Sequence, residues 1–362
     1  MDRRSFLTKA TGGGLSVAAT SALAAPVYAQ GKRRLTLVTT WGRGLAGVHD
    51  SAQRCADMIT GLTDGQLTVD LRAAGELVGA FEVFEAVTSG RADMYHGADY
   101  YFVDQHPAYA FFAAVPFGMT AQELVNWYHH GGGMELHDDL GRIFGLKSFL
   151  AGNTGGQGGG WFRKEIRGLE DFQGLRFRMP GLGGIALGKM GASVQNIPGS
   201  DVYQALASGA IDATEWIGPW ADEKLGLQEI TKIYYPAGFH EPGAGLTLAT
   251  NRGVFESLTP MQQKVIEIVA GDCHQWNLAQ FLTQNGAALA RLQAAGVRTL
   301  QFPDAVWDAF GAASQAVHDE NMADELYAKI HGSALRSMRS SSAWLKISDG
   351  IYTAQRDRVL GG

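Results

Sequence analysis

The stretch DVYQALASGAIDA at residues 201–213 repeats the pattern of EVFEAVTSGRADM at residues 82–94. Val, Ala, Ser, Gly and Asp recur at matching positions of the two segments. Apolar residues at i, i+3 and i+4 predict a helix, and Gly90 and Gly209 stand where a left-handed glycine commonly ends one. A short strand is expected after each glycine. The chain therefore uses one helix-turn-strand unit twice, which predicts one copy in each of two lobes.

Strand-like and helix-like segments alternate around both copies. Strands are predicted at 35–41, 67–73, 174–179 and 244–251, and helices at 47–62, 182–190 and 200–209. This alternation is typical of an α/β fold whose parallel sheets are covered by helices on both faces. Ligands of such folds bind beyond the carboxyl ends of strands and in clefts between domains. The sequence therefore predicts a two-lobed α/β fold with a ligand cleft between the lobes.

The C-terminal third is predicted to be helical. Thr259-Pro260-Met261-Gln262 combines an N-cap threonine with a first-turn proline and starts a helix that extends to about residue 292. Further helices are predicted at 303–330 and 334–358. A chain of 362 residues exceeds what one hydrophobic core usually serves. The predicted parts are lobe I at 30–153 with 244–300, lobe II at 154–243 with 301–330, and a C-terminal helix at 331–362.

The N-terminal segment has the features of a signal peptide. Arg3 and Arg4 precede a weakly apolar stretch that ends in Val27-Tyr28-Ala29, which is typical of a secretory signal with a small-residue cleavage site. The paired arginines favour the twin-arginine route, with residues 1–29 removed after export. The formal net charge of −6 becomes −8 without the three basic and one acidic side chains of this segment. Such an acidic chain lacks the basic patch on which nucleic-acid binding depends.

The segment GNTGGQGGGWFRKEI at residues 152–166 carries six glycines in its first nine positions. A phosphate loop of Walker type would end in Gly-Lys-Ser/Thr, whereas this run ends in Gly160-Trp161-Phe162. A dinucleotide loop would pass directly into a helix, whereas the residues after Gly160 have strand character. Both nucleotide interpretations fail. The glycines are interpreted as backbone that approaches a ligand closely, with Gln157 as the polar side chain among them.

Glu215 is a candidate for a functional acid. It lies in IDATEWIGPWADEKLG at residues 211–226, beside Trp216 at the end of a predicted buried strand. An isolated carboxylate is expensive to bury there, so either a cation or an arginine is expected as its partner. Asp222 and Glu223 of the same segment are expected on the solvated face of a surface helix.

Arg178 is a candidate for binding an anionic ligand, because a guanidinium fork matches the two oxygens of a carboxylate. A solvated arginine is the alternative.

Glu241 lies in an irregular Gly/Pro-rich loop, and Tyr100 and Tyr101 follow the first repeat unit, where they would form an apolar wall with hydroxyl groups. The sequence contains no HExxH, CxxC or GxSxG motif. An acidic dyad of Glu215 and Glu241 stays open as a catalytic alternative.

These features resemble the extracytoplasmic solute-binding proteins of tripartite ATP-independent periplasmic (TRAP) transporters, in the branch that binds 2-oxo acids such as pyruvate. The resemblance covers essentially the whole chain, and its most specific stretches are residues 152–166 and 211–226, AAVPF at 113–117 and HHGGGMELH at 129–137. It implies a periplasmic binding protein fold that closes on its ligand and catalyses no reaction. It also implies a periplasmic location, membrane subunits of a TRAP transporter as partners, and a homodimer formed through a protruding C-terminal helix.

The resemblance also assigns site residues. It implies that Arg178 holds the carboxylate of a small 2-oxo or 2-hydroxy acid. A bridging cation, with sodium as the expected ion and calcium as the alternative, is implied to be held by Gln157, Glu215, the backbone carbonyl of Trp216, and Glu241. Further substrate contacts are implied for Tyr100, Tyr101, Asn153, Gln157 and Trp216. Carboxylate, amide and carbonyl oxygens are the ligands that a hard cation prefers.

Three departures from the family pattern fall near the predicted pocket. Asp99 stands where relatives usually have a small residue, Phe239-His240 replaces two tryptophans, and Pro242 replaces a glycine. The grip on carboxylate and cation is expected to be intact, whereas Asp99 adds a negative charge and the wall that sizes the substrate is altered. Two other functions stay open from sequence: a periplasmic metal-dependent enzyme acting on an oxo acid, and a sensory module that presents its ligand to a receptor.

Overall fold

The computed structural model describes residues 31–361, so the predicted signal peptide lies outside the described residues. The strands are β1 (Arg33–Thr39), β2 (Leu67–Arg72), β3 (Met94–Gly97), β4 (Leu146–Asn153), β5 (Gly160–Phe162), β6 (Arg176–Arg178), β7 (Ser193–Gln195), β8 (Ala213–Thr214), β9 (Ile233–Tyr235), β10 (Gly245–Asn251) and β11 (Arg298–Thr299). They form two sheets, with the orders β2-β1-β3-β10-β4 and β11-β9-β5-β8-β6-β7. We call the parts built on these sheets the first and the second lobe.

Helices surround both sheets. They are α1 (Val48–Leu62), α2 (Val83–Thr88), α3 (Ala121–His130), α4 (Gly133–Ile143), α5 (Gly181–Lys189), α6 (Gly199–Ala207), α7 (Pro219–Leu225), α8 (Leu227–Ile230), α9 (Arg252–Glu256), α10 (Pro260–Ala294), α11 (Asp304–Asn321), α12 (Glu325–Leu345) and α13 (Asp349–Leu360). Short 3₁₀ turns lie at Asp99–Phe102, Pro107–Phe112 and Leu169–Phe172. No helix in the described part of the chain is long and apolar enough to cross a membrane.

The repeated helix-turn-strand unit is confirmed in both lobes. Helix α2 leads into β3 of the first sheet, and α6 leads into β8 of the second. Gly90 and Gly209 follow these helices with φ of +79° and +73°, a left-handed conformation that glycine adopts without a steric penalty. Each repeated strand pairs in parallel with another strand of its lobe, β3 with β1 and β8 with β6. The repeat therefore occupies equivalent places in the two lobes.

The prediction of parallel sheets is wrong for β5 and β10. Strand β5 is antiparallel to β8 and β9, and β10 is antiparallel to β3 and β4. Both strands are the first that the chain forms after crossing from the other lobe, β5 after β4 and β10 after β9. The chain therefore enters each sheet in the opposite direction to the strands that a helix connects within a lobe. The prediction that residues 244–251 return to the first lobe is confirmed.

Two segments carry the chain between the lobes: residues 154–159, the first crossing segment, and residues 236–244, the second crossing segment. The glycines of the first pack directly against protein. A Cβ at Gly158 would lie 2.3 Å from the Tyr234 hydroxyl, and one at Gly159 would lie 2.5 Å from Phe302 Cε2. The sequence interpretation, in which the glycines approach a ligand, is therefore corrected for Gly158 and Gly159, whose closest neighbours are side chains of the second lobe. For Gly155 and Gly156 it stays a prediction.

Helix α10 contacts both lobes, since it packs on β4 and α1 of the first and on α7 of the second. It begins with the predicted cap, in which the Thr259 side chain accepts from the Gln262 N–H. After α10 the strand β11 pairs with β9 of the second sheet. Residues 298–299 thus belong with the second lobe, although the predicted boundary kept residues up to 300 in the first.

The last helices are broken where single continuous helices were predicted. The helix predicted at 303–330 ends at Asn321, and Asp324 starts α12 because its side chain accepts from the Tyr327 N–H. The helix predicted at 334–358 is interrupted between α12 and α13. Helix α12 packs on α3 and α4 of the first lobe, whereas none of the side chains of α13 is buried.

Candidate functional site

Arg178 and Glu215 form the buried centre of the site. Arg178 is the last residue of β6 and Glu215 follows β8, and these parallel strands place Arg178 opposite Thr214. Arg178 Nη1 donates to Glu215 Oε1, and Arg178 Nε donates to the Ile197 carbonyl at 3.0 Å. Both charged side chains are 1% exposed. The prediction that Glu215 requires a partner is confirmed, and the described partner is the arginine.

Tyr100 and Tyr101 reach this centre from the first lobe. They lie in the 3₁₀ turn after β3, with ring centroids 4.8 Å apart. Arg178 Nη2 donates to the Tyr101 hydroxyl at 3.4 Å. A Cβ at Gly181, which has φ +62°, would stand only 3.0 Å from Tyr100 Cβ. The two lobes therefore touch beside Arg178, and both contribute side chains to the site.

The two crossing segments hold Gln157 and Glu241 side by side. The Gln157 N–H donates to the Glu241 carbonyl at 2.9 Å, and the Gly238 N–H donates to the Gln157 carbonyl at 3.1 Å. Gln157 Nε2 donates to Thr154 Oγ1 at 3.0 Å, which leaves the amide oxygen of Gln157 without a partner among residues 31–361. Main-chain hydrogen bonds thus fix an amide and a carboxylate at the junction of the lobes.

His240 is a site residue that the sequence analysis placed only in the substrate wall. Its Nε2 lies 3.5 Å from Glu215 Oε2 and 4.0 Å from Glu241 Oε1, and its side chain is 1% exposed. Glu215, His240 and Glu241 each offer a ligand atom within 4.8 Å of the others. The adjacency of His240 to Glu241, a predicted ligand, was the only sequence signal for this placement.

The buried charges of the site perturb one another. Burial and the charge of Glu215 raise the pKa of Glu241 well above its usual value, against the lowering effects of Arg178 and of a hydrogen bond from Tyr100. Burial raises the pKa of Tyr101 to about 12, although Arg178 opposes this shift. Burial would lower the pKa of Arg178, but the charge of Glu215 raises it overall. Two carboxylates thus face a single arginine, and a further positive charge would stabilise the site.

The donor set fits a cation. Three buried oxygens, Gln157 Oε1, Glu215 Oε2 and Glu241 Oε2, have no hydrogen-bond partner in the described part of the chain. Buried polar atoms are rarely left unsatisfied, and carboxylate and amide oxygens are the ligands that sodium-like and calcium-like hard cations take. Gln157, Glu215 and Glu241, which the resemblance assigns to the cation, therefore have the chemistry to hold it.

Trp216 and Asn153 are the remaining predicted site residues, and only Trp216 contacts Arg178 at the centre of the site. The Trp216 ring lies beneath Arg178, whose Cζ is 5.4 Å from the ring centroid. Asn153 Oδ1 accepts from the Gly155 N–H at 2.8 Å, and the Asn153 N–H donates to Asn277 Oδ1 at 3.1 Å. Those contacts tie Asn153 to the start of the first crossing segment. The ligand roles of the Trp216 carbonyl and of Asn153 stay predictions.

Asp99 does not add its charge to the pocket wall. Its Oδ1 accepts from the Tyr95 hydroxyl at 3.0 Å, and its Oδ2 accepts from Thr247 Oγ1 and faces His137 Nε2, both at 2.9 Å. All these partners belong to the first lobe, and Asp99 is fully buried among them. The expectation of a negative charge toward the ligand is therefore corrected, because the carboxylate is satisfied inside the lobe.

Asp222 is buried, although the sequence placed it on a solvated helix face. Its Oδ2 accepts from Trp161 Nε1 at 2.8 Å, and its Oδ1 accepts from the Ile217 and Gly218 N–H groups at 3.0 Å. Burial raises its pKa to about 7, although these hydrogen bonds lower it. The carboxylate fixes the loop that follows Glu215 and Trp216. Only Glu223, paired with Arg291 at the surface, behaves as predicted.

Comparison with known proteins gives a consistent picture. Residues 43–325 match the family described as bacterial extracellular solute-binding protein, family 7 (DctP). A monocarboxylate 2-oxoacid-binding periplasmic protein of Nostoc sp. is 34% identical over 320 residues, which cover 88% of each chain.

Two solved structures share the fold over nearly their whole length. A TRAP solute-binding protein of Pseudoalteromonas atlantica with bound sodium and pyruvate is 37% identical, with a TM-score of 0.86 over 89% of this chain and 99% of that one. A TRAP solute-binding protein of Bordetella bronchiseptica, a mixed-occupancy dimer with calcium and picolinate in one active site, is 31% identical, with a TM-score of 0.89 over 91% and 99%. The two-lobed α/β architecture and the sequence match lead to one assignment: the chain belongs to the DctP family of bacterial extracellular solute-binding proteins.

Proposed function

We propose that this protein captures a small 2-oxo acid, of which pyruvate is the simplest, in the periplasm and delivers it to the membrane subunits of a TRAP transporter. The observation that carries the proposal is the buried cluster of Arg178, Glu215 and Glu241 with its unsatisfied oxygens, where the two lobes meet. Relatives that bind pyruvate with sodium, and picolinate with calcium, support this ligand class.

Arg178 would orient the acid. Its Nε and Nη1 donate to the Ile197 carbonyl and to Glu215, which fixes the plane of the guanidinium. Its Nη2, which is 3.4 Å from the Tyr101 hydroxyl, would donate to the carboxylate of the acid. Tyr100 and Tyr101, from the first lobe, would close the pocket over the acid and exclude water. Residues of both lobes would then contact one ligand, which favours the closed arrangement of the lobes.

A cation would be held by Gln157, Glu215 and Glu241, together with the carbonyl of Trp216. Relatives bind sodium or calcium together with their acids. When bound, the cation would supply a positive charge that offsets the two carboxylates and attracts the carboxylate and 2-oxo oxygens of the acid. Gln157 and Glu241 would present their oxygens from fixed positions, because main-chain hydrogen bonds join the two crossing segments.

We propose that the protein releases its ligand unchanged. Support comes from the family, whose members are solute-binding proteins. In the described site the groups with unsatisfied buried atoms are Asn153, Gln157, Glu215, His240 and Glu241, and the proposal uses the three oxygen donors among them to hold the cation. Incubation of pyruvate with the protein should return pyruvate alone when the mixture is analysed by NMR; any product would contradict this part of the proposal.

Thermal unfolding of the mature protein tests the ligand class. The panel contains pyruvate, longer 2-oxo acids, 2-hydroxy acids and dicarboxylates, each with and without sodium and calcium. A ligand that binds only the native state raises the unfolding midpoint in proportion to its affinity and concentration. We expect a shift with 2-oxo monocarboxylates that requires a cation. No shift with any small carboxylate would reject the proposed substrate class.

Export and assembly are further parts of the proposal. Arg3 and Arg4 support the twin-arginine route, and N-terminal sequencing of the exported protein should begin at Gln30. We also propose a homodimer that contacts through α13, since Ile351, Tyr352 and Leu360 on this helix are 54%, 65% and 77% exposed. A helix that exposes several large apolar side chains and buries none favours a contact with another protein chain.

A further inference from the structure

The His240 imidazole has no hydrogen-bond partner for either ring nitrogen within residues 31–361. It is also 1% exposed. A buried polar group without a partner costs free energy, so an unpaired imidazole beside two carboxylates indicates a ligand that it is arranged to meet. The cation site proposed above has only oxygen ligands and does not include this imidazole.

Packing holds the His240 ring where it is. A Cβ at Gly183 would lie 2.9 Å from His240 Cβ, and one at Gly238 would lie 2.8 Å from His240 Cε1. The neighbouring Phe239 ring is fixed in the core, 3.9 Å from the Phe310 ring centroid. The glycines thus admit the imidazole on two sides and leave it little freedom to turn away from the carboxylates.

The spacing of the three donor groups suits one cation. His240 Nε2, a Glu215 oxygen and a Glu241 oxygen all lie within 4.8 Å of one another. Metal–ligand bonds of about 2.0 to 2.4 Å place pairs of ligand atoms roughly 3 to 4.8 Å apart. One ion between these groups would contact the imidazole as well as both carboxylates.

The nitrogen donor favours a transition-metal ion. Imidazole nitrogen is a preferred ligand of Zn²⁺, Co²⁺ and Ni²⁺, whereas Na⁺ and Ca²⁺ take oxygen ligands.

We infer that His240 is an additional cation ligand in this pocket, and that the pocket takes a divalent transition-metal ion of the Zn²⁺ type in preference to sodium or calcium. This inference rests on the proposed function, because it concerns the cation that bridges the protein and the 2-oxo acid. It changes the identity of the ion and adds a nitrogen ligand to the oxygen donors.

Metal titration of three proteins tests the inference. Chelator-treated wild type, His240→Gln and the control His129→Gln, which removes an exposed histidine of α3, are titrated by calorimetry with Zn²⁺, Co²⁺, Ca²⁺ and Na⁺, with and without pyruvate. In the wild type we expect one equivalent of Zn²⁺ or Co²⁺ to bind at least about tenfold more tightly than Ca²⁺. In His240→Gln we expect Zn²⁺ and Co²⁺ affinity to fall about 10- to 100-fold, with Ca²⁺ affinity little changed. The His129→Gln control should match the wild type.

A spectroscopic readout accompanies the titration. X-ray absorption at the zinc edge should show imidazole scattering in the wild type and its loss in His240→Gln. His240→Asn serves as a second variant if the glutamine is not accommodated, and circular dichroism establishes that each variant is folded.

Two outcomes would overturn the inference: tighter Ca²⁺ or Na⁺ binding than Zn²⁺ binding in the wild type, or equal Zn²⁺ affinity in the wild type and His240→Gln. In either case pyruvate binding that depends on sodium or calcium would leave the proposed function standing. If no cation changes the affinity for pyruvate, the proposed function itself fails, and the inference fails with it.

Discussion

Arg178 links structure and ligand binding at the scale of a single residue. The same guanidinium braces the Ile197 carbonyl, neutralises Glu215 and reaches Tyr101 across the lobes. Removing one partner of a buried ion pair is strongly destabilising, because the other charge stays buried without compensation. A substitution that keeps the positive charge therefore separates the binding role of Arg178 from its role in stability.

Arg178→Lys should weaken pyruvate binding by roughly 30-fold, about 2 kcal/mol, because lysine keeps the charge but loses the planar fork. Arg176→Lys is the matched control on the same strand, since Arg176 pairs with Asp212 at the surface. Calorimetric titration of both variants measures the difference. Equal pyruvate affinity in Arg178→Lys and wild type would remove Arg178 from the carboxylate site.

The predictions for single residues succeeded where the cost of burying a charge decided the outcome. Glu215 was identified because a buried charge at a strand end requires a partner, whereas Arg178 was identified as a fork that matches a carboxylate. Parallel pairing of β6 with β8 brings the two together. Asp222 was misplaced because its charged neighbours suggested a solvated helix, whereas the N–H donors that bury it come from the folded loop and from β5. The contact of His240 with Glu215 was missed because residues distant in sequence meet there.

At the scale of elements, Asp138 joins α4 to the strand and helix beside it. It pairs with Arg142 of α4, Lys147 of β4 and Arg252 of α9 at 2.7 to 2.9 Å. Burial would raise the pKa of Asp138, but hydrogen bonds from Arg252, Lys147 and Arg142 and the charge of Lys147 lower it from 3.8 to about 2. A lowered pKa in the folded state means that folding favours the ionised carboxylate.

The stability from Asp138 should be present above pH 4 and should be lost as the pH falls through about 2, because the carboxylate then protonates in both states. A shift of nearly two pKa units corresponds to about 2 kcal/mol. Wild type should therefore exceed Asp138→Asn by about this amount at pH 7. Urea unfolding across pH should show the difference shrinking between pH 4 and pH 2. A difference that stays constant over this range would contradict the assignment.

The positions of individual helices and strands were largely predictable, whereas the parallel or antiparallel orientation of the strands was not. Helix α1, strand β2 and the start of α10 follow from apolar periodicity and from the Thr259 capping box. The antiparallel orientation of β5 and β10 depends on the lobe from which the chain arrives, which no local pattern encodes. The break between α11 and α12 depends on the cap at Asp324, which lies inside a continuous helical pattern.

At the scale of the whole molecule, the lobes are joined by two crossing segments and by α10. The crossing segments carry Gln157 and Glu241, so the residues that would hold the cation also lie where the chain passes between lobes. Arg178 and Tyr101 contact each other across the same junction. Ligand and cation binding should therefore be coupled to closure of the lobes, because each stabilises contacts that only the closed arrangement makes.

Deletion of residues 346–362 should convert a dimer into a monomer. Helix α13 has no buried side chain and exposes Ile351, Tyr352, Val359 and Leu360. Light scattering coupled to size-exclusion chromatography measures the mass of the full-length and shortened proteins. The shortened protein should keep the pyruvate affinity of the full chain, since α13 is remote in sequence from every site residue. A monomeric full-length protein would reject the proposed dimer.

The most direct test is calorimetric titration of pyruvate into chelator-treated mature protein, in a sodium-free buffer and then with Na⁺, Ca²⁺ or Zn²⁺ added singly. Glu241→Gln, which removes one carboxylate of the cluster, is titrated in parallel. We predict pyruvate binding that requires one of these cations in the wild type and is weakened at least about tenfold in Glu241→Gln. Equal pyruvate affinity with and without every cation, or no binding under any condition, would contradict the cation-bridged capture of a 2-oxo acid.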